Sequence, residues 1–282
     1  MKAFISVDLE GMPYVVILGQ LNLKGSLYEE TRKISTQITL IVADELHKNG
    51  FEKIIIADGH GPMVNLLVDE LPECVEIVRG SLRPTGQVAG AEGCDVAIFL
   101  GYHSKFGTVN STFDHTYSGG SVHKLEINGV EVSEYLLNSY TVGSMGIPPI
   151  FMAGDKKLIE DDVKTFTPWV ESVALKDSLS RLSAKSPSMK FLEKEIRAAV
   201  NKAVINLNEG KVKPLITKEP VKMKLTLRDT QQTDAIALLP FINRLDALTV
   251  EYTSENMTEA YTTFQALLFI ASGVTNMMRS MT

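Results

Sequence analysis

The chain alternates between short unbroken apolar runs and longer stretches in which apolar residues recur every three or four positions. Phe4-Ile5-Ser6-Val7, Lys53-Ile54-Ile55-Ile56-Ala57, Val75-Glu76-Ile77-Val78 and Asp95-Val96-Ala97-Ile98-Phe99-Leu100 read as strands. Between the first two, Leu27, Ile34, Ile38, Ile41, Val42 and Leu46 fall at helical spacing. Ser26-x-x-Glu29 predicts a capping box at the start of that helix, and Asn49-Gly50 predicts its end. Continuous apolar strands separated by helices predict an α/β fold: a mostly parallel sheet flanked by helices on both faces.

The pattern changes after residue 107. A polar loop runs from Thr108 to Ser121, and Val122–Ile127 and Val130–Val132 then flank Asn128-Gly129, a two-residue hairpin turn. Ser133 predicts a cap for a helix reaching about Ser144, and Pro149–Met152 reads as a further strand. Pro187 to Asn208 reads as a helix with Phe191, Ile196, Ala199, Val200 and Val204 on its inner face. Val221–Leu227 alternates as a half-exposed strand, Leu248–Tyr252 does likewise, and a last helix covers Ala260 to Met278. These elements predict a metal-binding catalytic α/β domain over residues 1–160 and a smaller α+β C-terminal domain over 161–282.

Composition narrows the class. The 282 residues are 44% hydrophobic and 22% charged, the mix of a globular protein. Net charge is -6 with no basic block, which argues against nucleic acid as a partner. Cys74 and Cys94 form no CxxC pair, so a disulfide framework is not expected and a cytoplasmic location is. Asp8 and Glu10 interrupt the N-terminus before a secretory signal core forms. The uncharged stretch from Ala260 to Met278 is broken by Thr262, Thr263, Gln265, Ser272, Thr275 and Asn276, so a buried helix is expected and no membrane span.

Candidate chemistry gathers at strand ends. In an open α/β sheet, ligands bind beyond the carboxyl ends of the strands. Those ends carry Asp8 and Glu10, then His60, then His103, with Glu134 a fifth candidate at the start of the helix after the hairpin. Taken singly, each reads as an ordinary strand-end or turn residue; together, two histidines and several carboxylates on one edge make a divalent-metal site. Five such groups suit a two-metal centre, which supplies Lewis acidity and a nucleophile near neutral pH without an activated serine. His115, in the polar loop, is either an exposed side chain or a general acid/base near that edge. His47 reads as a surface residue at a helix end, and His123 as structural. Gly-x-Ser-x-Gly, HExxH, the phosphate loop and the dinucleotide glycine fingerprint are absent from the sequence.

Ser6-Val7-Asp8-Leu9-Glu10-Gly11 resembles the SxDxEG opening of the zinc-dependent D-aminopeptidases, a self-compartmentalising metallopeptidase family. The likeness continues, in order, through Asp58-Gly59-His60, Leu100-Gly101-Tyr102-His103, Asp114-His115, Ile127-Asn128-Gly129, Ser133-Glu134-x-x-Leu137-Asn138-x-Tyr140 and Ala153-Gly154-Asp155. By position, the resemblance implies two zinc ions per subunit held by Asp8, Glu10, His60, His103 and Glu134, with Glu134 favoured over Glu131. It implies a catalytic role for His115, hydrolysis of the N-terminal residue from short D-amino-acid-containing peptides, and a homodecamer of two pentameric rings. Mn2+ and Co2+ fit the same donors. The rival readings are an L-aminopeptidase or other amidohydrolase with the same metals, and a ring-forming binding protein with a vestigial site.

Overall fold

The computed structural model describes residues 1–280, so the last two positions of the predicted second domain lie outside it. Twelve strands form two sheets. The first sheet has the order β3 (Val75–Val78), β2 (Lys53–Asp58), β1 (Lys2–Val7), β4 (Val96–Tyr102), β7 (Pro149–Asp155), β8 (Glu171–Ser180) and β9 (Ser183–Lys185). Its strands β3 through β8 run parallel, and only β9 turns back antiparallel. The second sheet is antiparallel, ordered β11 (Asn243–Arg244), β12 (Thr249–Ser254), β10 (Val221–Leu227), β5 (Val122–Ile127), β6 (Val130–Glu131). Five longer helices accompany them: α1 (Tyr28–Lys48), α2 (Glu134–Ser144), α3 (Met189–Asn208), α4 (Thr230–Ile236) and α5 (Met257–Arg279).

Strand alternation divides the core in two. Successive side chains of a strand point to opposite faces. Ile5 and Val7 of β1 therefore join Ile54, Ile56, Ile98 and Leu100 against α1 and α3, through Ile38, Val42, Leu46, Leu192, Ile196 and Val200. Phe4 of the same strand faces the other way with Ala57, Phe99 and Tyr102, and packs toward α2, α5 and the second sheet through Leu137, Phe264, Leu125, Leu225 and Val250. Both faces of the parallel strands are buried, which is why they read as continuous apolar runs.

Three expectations need correction. α1 starts at Tyr28 with Leu27 at the cap position and no side-chain cap, so the Ser26 capping box does not form; the Tyr28 N–H instead donates to Gly25 O at 3.2 Å, in the turn that feeds the helix. Phe191 of α3 is exposed, and Leu192 fills the inner face in its place. Strands β8 and β9 were not expected, because Lys176, Asp177, Ser178 and Ser180 give that segment no apolar pattern. Among the described residues, no helix is long and apolar enough to cross a membrane.

Candidate metal centre

The order of the first sheet reverses direction at β1, whose neighbours are β2 and β4, and the crevice beyond that point is where α/β sheets bind ligands. The chain leaving β1 is locked against the end of β4. Asp8 N–H donates to Leu100 O at 2.8 Å and Gly11 N–H to Gly101 O at 2.7 Å. The approach admits no side chain: a Cβ on Gly101, whose φ is +73°, would lie 2.0 Å from Asp8 O.

This packing brings the predicted residues together. Asp8 and Glu10 follow β1, His60 follows β2, and His103 follows β4. Glu134 opens α2, where Ser133 Oγ accepts from Leu136 N–H at 3.3 Å and caps the helix. His60 Nδ1 stands 3.2 Å from Asp8 Oδ1 and 2.8 Å from Glu10 Oε2. His103 Nε2 stands 3.6 Å from Asp8 Oδ2 and 3.4 Å from Glu134 Oε1. His115 Nε2 lies 3.6 Å from Glu134 Oε1 and 4.0 Å from Glu10 Oε1. Three triads have donor atoms within 4.8 Å of one another: Asp8, Glu10 and His60; Asp8, His103 and Glu134; and Glu10, His103 and His115. Asp8, Glu10 and His103 each belong to two of them, so the triads form one continuous cluster of donors.

The donor set fits a divalent cation. Asp8 Oδ2 and His103 Nε2 are buried without a hydrogen-bond partner, and unpaired polar atoms are costly inside a protein. The far nitrogen of each ring is held by a main-chain carbonyl: His60 Nε2 by Leu21 O at 2.9 Å, His103 Nδ1 by Ser104 O at 3.0 Å, His115 Nδ1 by Phe113 O at 2.6 Å. Those bonds keep a proton on the far nitrogen, so the near one is the atom that can offer a lone pair to a cation once any proton on it is displaced.

Without a cation the cluster holds protons. Burial, with the charges of Glu10 and Glu134, pushes Asp8 up to about 8. Burial lowers His60 but Glu10 and Asp8 outweigh it, leaving it well above its usual value. The same contest, with Glu134 prevailing over burial, takes His103 up to about 9. Burial raises Glu10 and Glu134, yet the histidines beside them hold both below the usual carboxylate range. His115 goes the other way, lowered by burial and by His103, whose ring stacks on it at 4.4 Å.

A cavity of about 170 Å³ opens on this cluster, lined by Asp8, Glu10, His60, His115 and Glu134 together with Met63, Gln87 and Tyr117. His103 lies behind its wall, fully buried, while His115 faces it with 17% of its side chain exposed. A wider groove of about 590 Å³ runs along α1 by Leu40, Ile41, Asp44 and Arg197, away from every ligand triad. His47 and His123 are exposed and outside the cluster.

Several groups at the site carried no sequence signal. Gln87 Nε2 donates to Glu134 Oε2 at 2.7 Å, and the Tyr117 N–H to Glu134 Oε1 at 2.7 Å. Gln87 in turn accepts from Asn138 Nδ2 at 2.6 Å, and Tyr117 reaches Asn138 and Tyr261 through its hydroxyl. Lys176 of β8 is fully buried beneath the first loop and donates to the main-chain carbonyls of Glu10 and Val15.

A D-aminopeptidase family model matches residues 1–266. A curated D-aminopeptidase of Bacillus subtilis (strain 168) is 29% identical over 278 residues, covering 95% of this chain and 96% of its own. The solved structure of a Zn-dependent D-aminopeptidase from Bacillus subtilis, a self-compartmentalizing protease, superposes with a TM-score of 0.91 at 26% identity, covering 96% of this chain and 98% of that one. With the family model spanning nearly its whole length, this chain belongs to the D-aminopeptidase family of peptidases.

Proposed function

We propose that the protein is a zinc-dependent aminopeptidase that removes the N-terminal residue from short peptides containing D-amino acids. The observation that carries this is the convergence of three donor triads on one another, with Asp8 Oδ2 and His103 Nε2 buried and unpartnered. Asp8, Glu10, His60, His103 and Glu134 would hold two zinc ions. Zinc, when bound, supplies Lewis acidity toward the scissile carbonyl and brings the ionisation of water toward neutral pH. The chain supplies the rest. His115 faces the cavity, is kept neutral by burial and by His103, and has its Nδ1 proton fixed on Phe113 O, so its Nε2 is free to take and return a proton. Gln87 and the Tyr117 N–H hold both oxygens of Glu134 in one orientation. The small cavity admits a chain end and excludes a folded protein. The relative described as self-compartmentalizing supports assembly of this chain into a closed homo-oligomer, for which we propose a decamer of two pentameric rings. The two free cysteines fit a cytoplasmic enzyme.

The test is hydrolysis of D-Ala and L-Ala p-nitroanilides and matched dipeptides by zinc-loaded protein, with and without chelator. Chelator-sensitive release from the D series alone is expected. Release from the L series alone would discard the stereochemistry and keep the metal chemistry. Release from neither series, or bound metal below one ion per ten chains after purification in zinc, would favour a binding protein with a vestigial site.

A further inference from the structure

Lys176 is an unusual residue for its position. It lies in the middle of β8, fully buried, in a strand whose Val173 and Leu175 are also core residues. Burying an ammonium is expensive, and an apolar side chain of the same length would fill the space without that cost. The ammonium is nevertheless fully engaged. It donates to Glu10 O and to Val15 O, the second at 2.7 Å, and so ties together the two ends of the turn that leaves the metal edge. The face of Phe113, two residues before His115, stands 5.6 Å from it. Burial pushes its ammonium down to about 8, against Asp155, Glu10 and Asp8, which raise it; two of these are assigned as ligands.

The same strand grips the other side of the site. Ser178, two residues on and so on the same face as Lys176, accepts from the Thr112 N–H at 3.1 Å and donates to Asp155. That bond braces the loop carrying His115. The inward face of β8 therefore supports the ligand turn at Lys176 and the histidine loop at Ser178.

We propose that Lys176 is a positioning residue of the metal centre: it pins the main chain at Glu10 and Val15 so that the Glu10 carboxylate faces His60 and His115, and it sets its ammonium group beneath the acidic ligands. This rests on the assignment of Asp8 and Glu10 as zinc ligands. An outer partner that orients a ligand is worth about 10- to 100-fold in metal affinity.

The experiment is zinc titration against a chromogenic chelator, using metal-stripped full-length wild type, K176M, K176R and E10Q, with thermal unfolding of each metal-free protein to establish folding. K176M is expected to fold and to bind zinc about 10- to 100-fold more weakly. K176R, which keeps the charge, is expected to recover part of that loss, as a space-filling role would not require. Cobalt substitution gives a second readout: the visible spectrum of K176M should shift as the ligand geometry relaxes. Wild-type zinc affinity and an unchanged cobalt spectrum in folded K176M would overturn the proposal. Should K176M not fold, K176Q, which keeps a donor but no charge, carries the same test with the same refuting result. E10Q separates the two levels. Weak zinc binding in E10Q beside normal binding in K176M refutes only the role of Lys176; normal binding in E10Q refutes the ligand assignment and this inference with it.

Discussion

Loading the metal-free protein with zinc should expel protons, and the structure gives their number. Asp8 sits at about 8 and His103 at about 9, and His60 is held well above its usual value by Glu10 and Asp8. At pH 7 a group one unit below its pKa is ~90% protonated, and one two units below is ~99% protonated. The three sites together therefore carry about three protons that a cation must displace, while Glu10, Glu134 and His115 carry almost none. Zinc affinity should then rise with pH, by up to about three decades per unit near neutrality. The assay is calorimetric titration of zinc at pH 7 in buffers of different ionisation enthalpy, where the slope of heat against buffer enthalpy counts protons. A slope near three is expected; a slope below one would refute the protonated cluster. The same groups set the sign of stability. Both pKa values are raised by folding, so each group adds stability at pH below its unfolded value and loses it as pH climbs through its folded one. For Asp8 that window runs from 3.8 to about 8, and for His103 from 6.5 to about 9. The melting temperature of chelated protein should accordingly fall between pH 6.5 and 9, and zinc should abolish the fall.

The remaining predictions are briefer. His115→Ala should keep its zinc by mass spectrometric metal analysis and lose about 10²- to 10⁴-fold in kcat, the usual worth of a general acid/base; loss of the metal instead would make His115 a ligand. His60→Ala should lose both metal and activity, because its Nδ1 faces Asp8 and Glu10 together. Gly101→Ala should destabilise the protein by about 2 kcal/mol or more in urea unfolding, since it combines a φ of +73° with a Cβ 2.0 Å from Asp8 O; a change under half of that would mean the β1 exit turn relaxes freely.

How far the sequence carried the reading depends on how locally each feature is encoded. β1, β2 and β4 were legible because strands buried on both faces are apolar at every position, and the run stops where the chain enters the crevice. Asp8, Glu10, His60 and His103 were legible because each follows directly on such a run. β8 was illegible for the opposite reason: Lys176 and Ser178 are polar yet buried, since the surface they face is the wall of the site, so alternation misreports their environment. Gln87 and Tyr117 act on Glu134 from 47 and 17 residues away in sequence, and no local period announces a contact of that kind. Phe191 and Leu192 are adjacent on one helix, but only Leu192, one turn before Ile196, shares the face that Ile196 and Val200 bury.

The strand order of the second sheet bears on synthesis. Every proposed zinc ligand lies within the first 134 residues, yet the hairpin that delivers Glu134 pairs, through β5, with β10, whose residues are 221–227. Tyr117, whose N–H holds Glu134, packs its ring against Tyr261 and Phe264 of the last helix. A nascent chain arrested midway would expose histidines and carboxylates in a loose array, able to scavenge cations but unable to hold them in register. The donors are thus close in sequence, while the contacts that hold Glu134 in register come from elements far later in the chain, so the site and the second sheet are expected to form together.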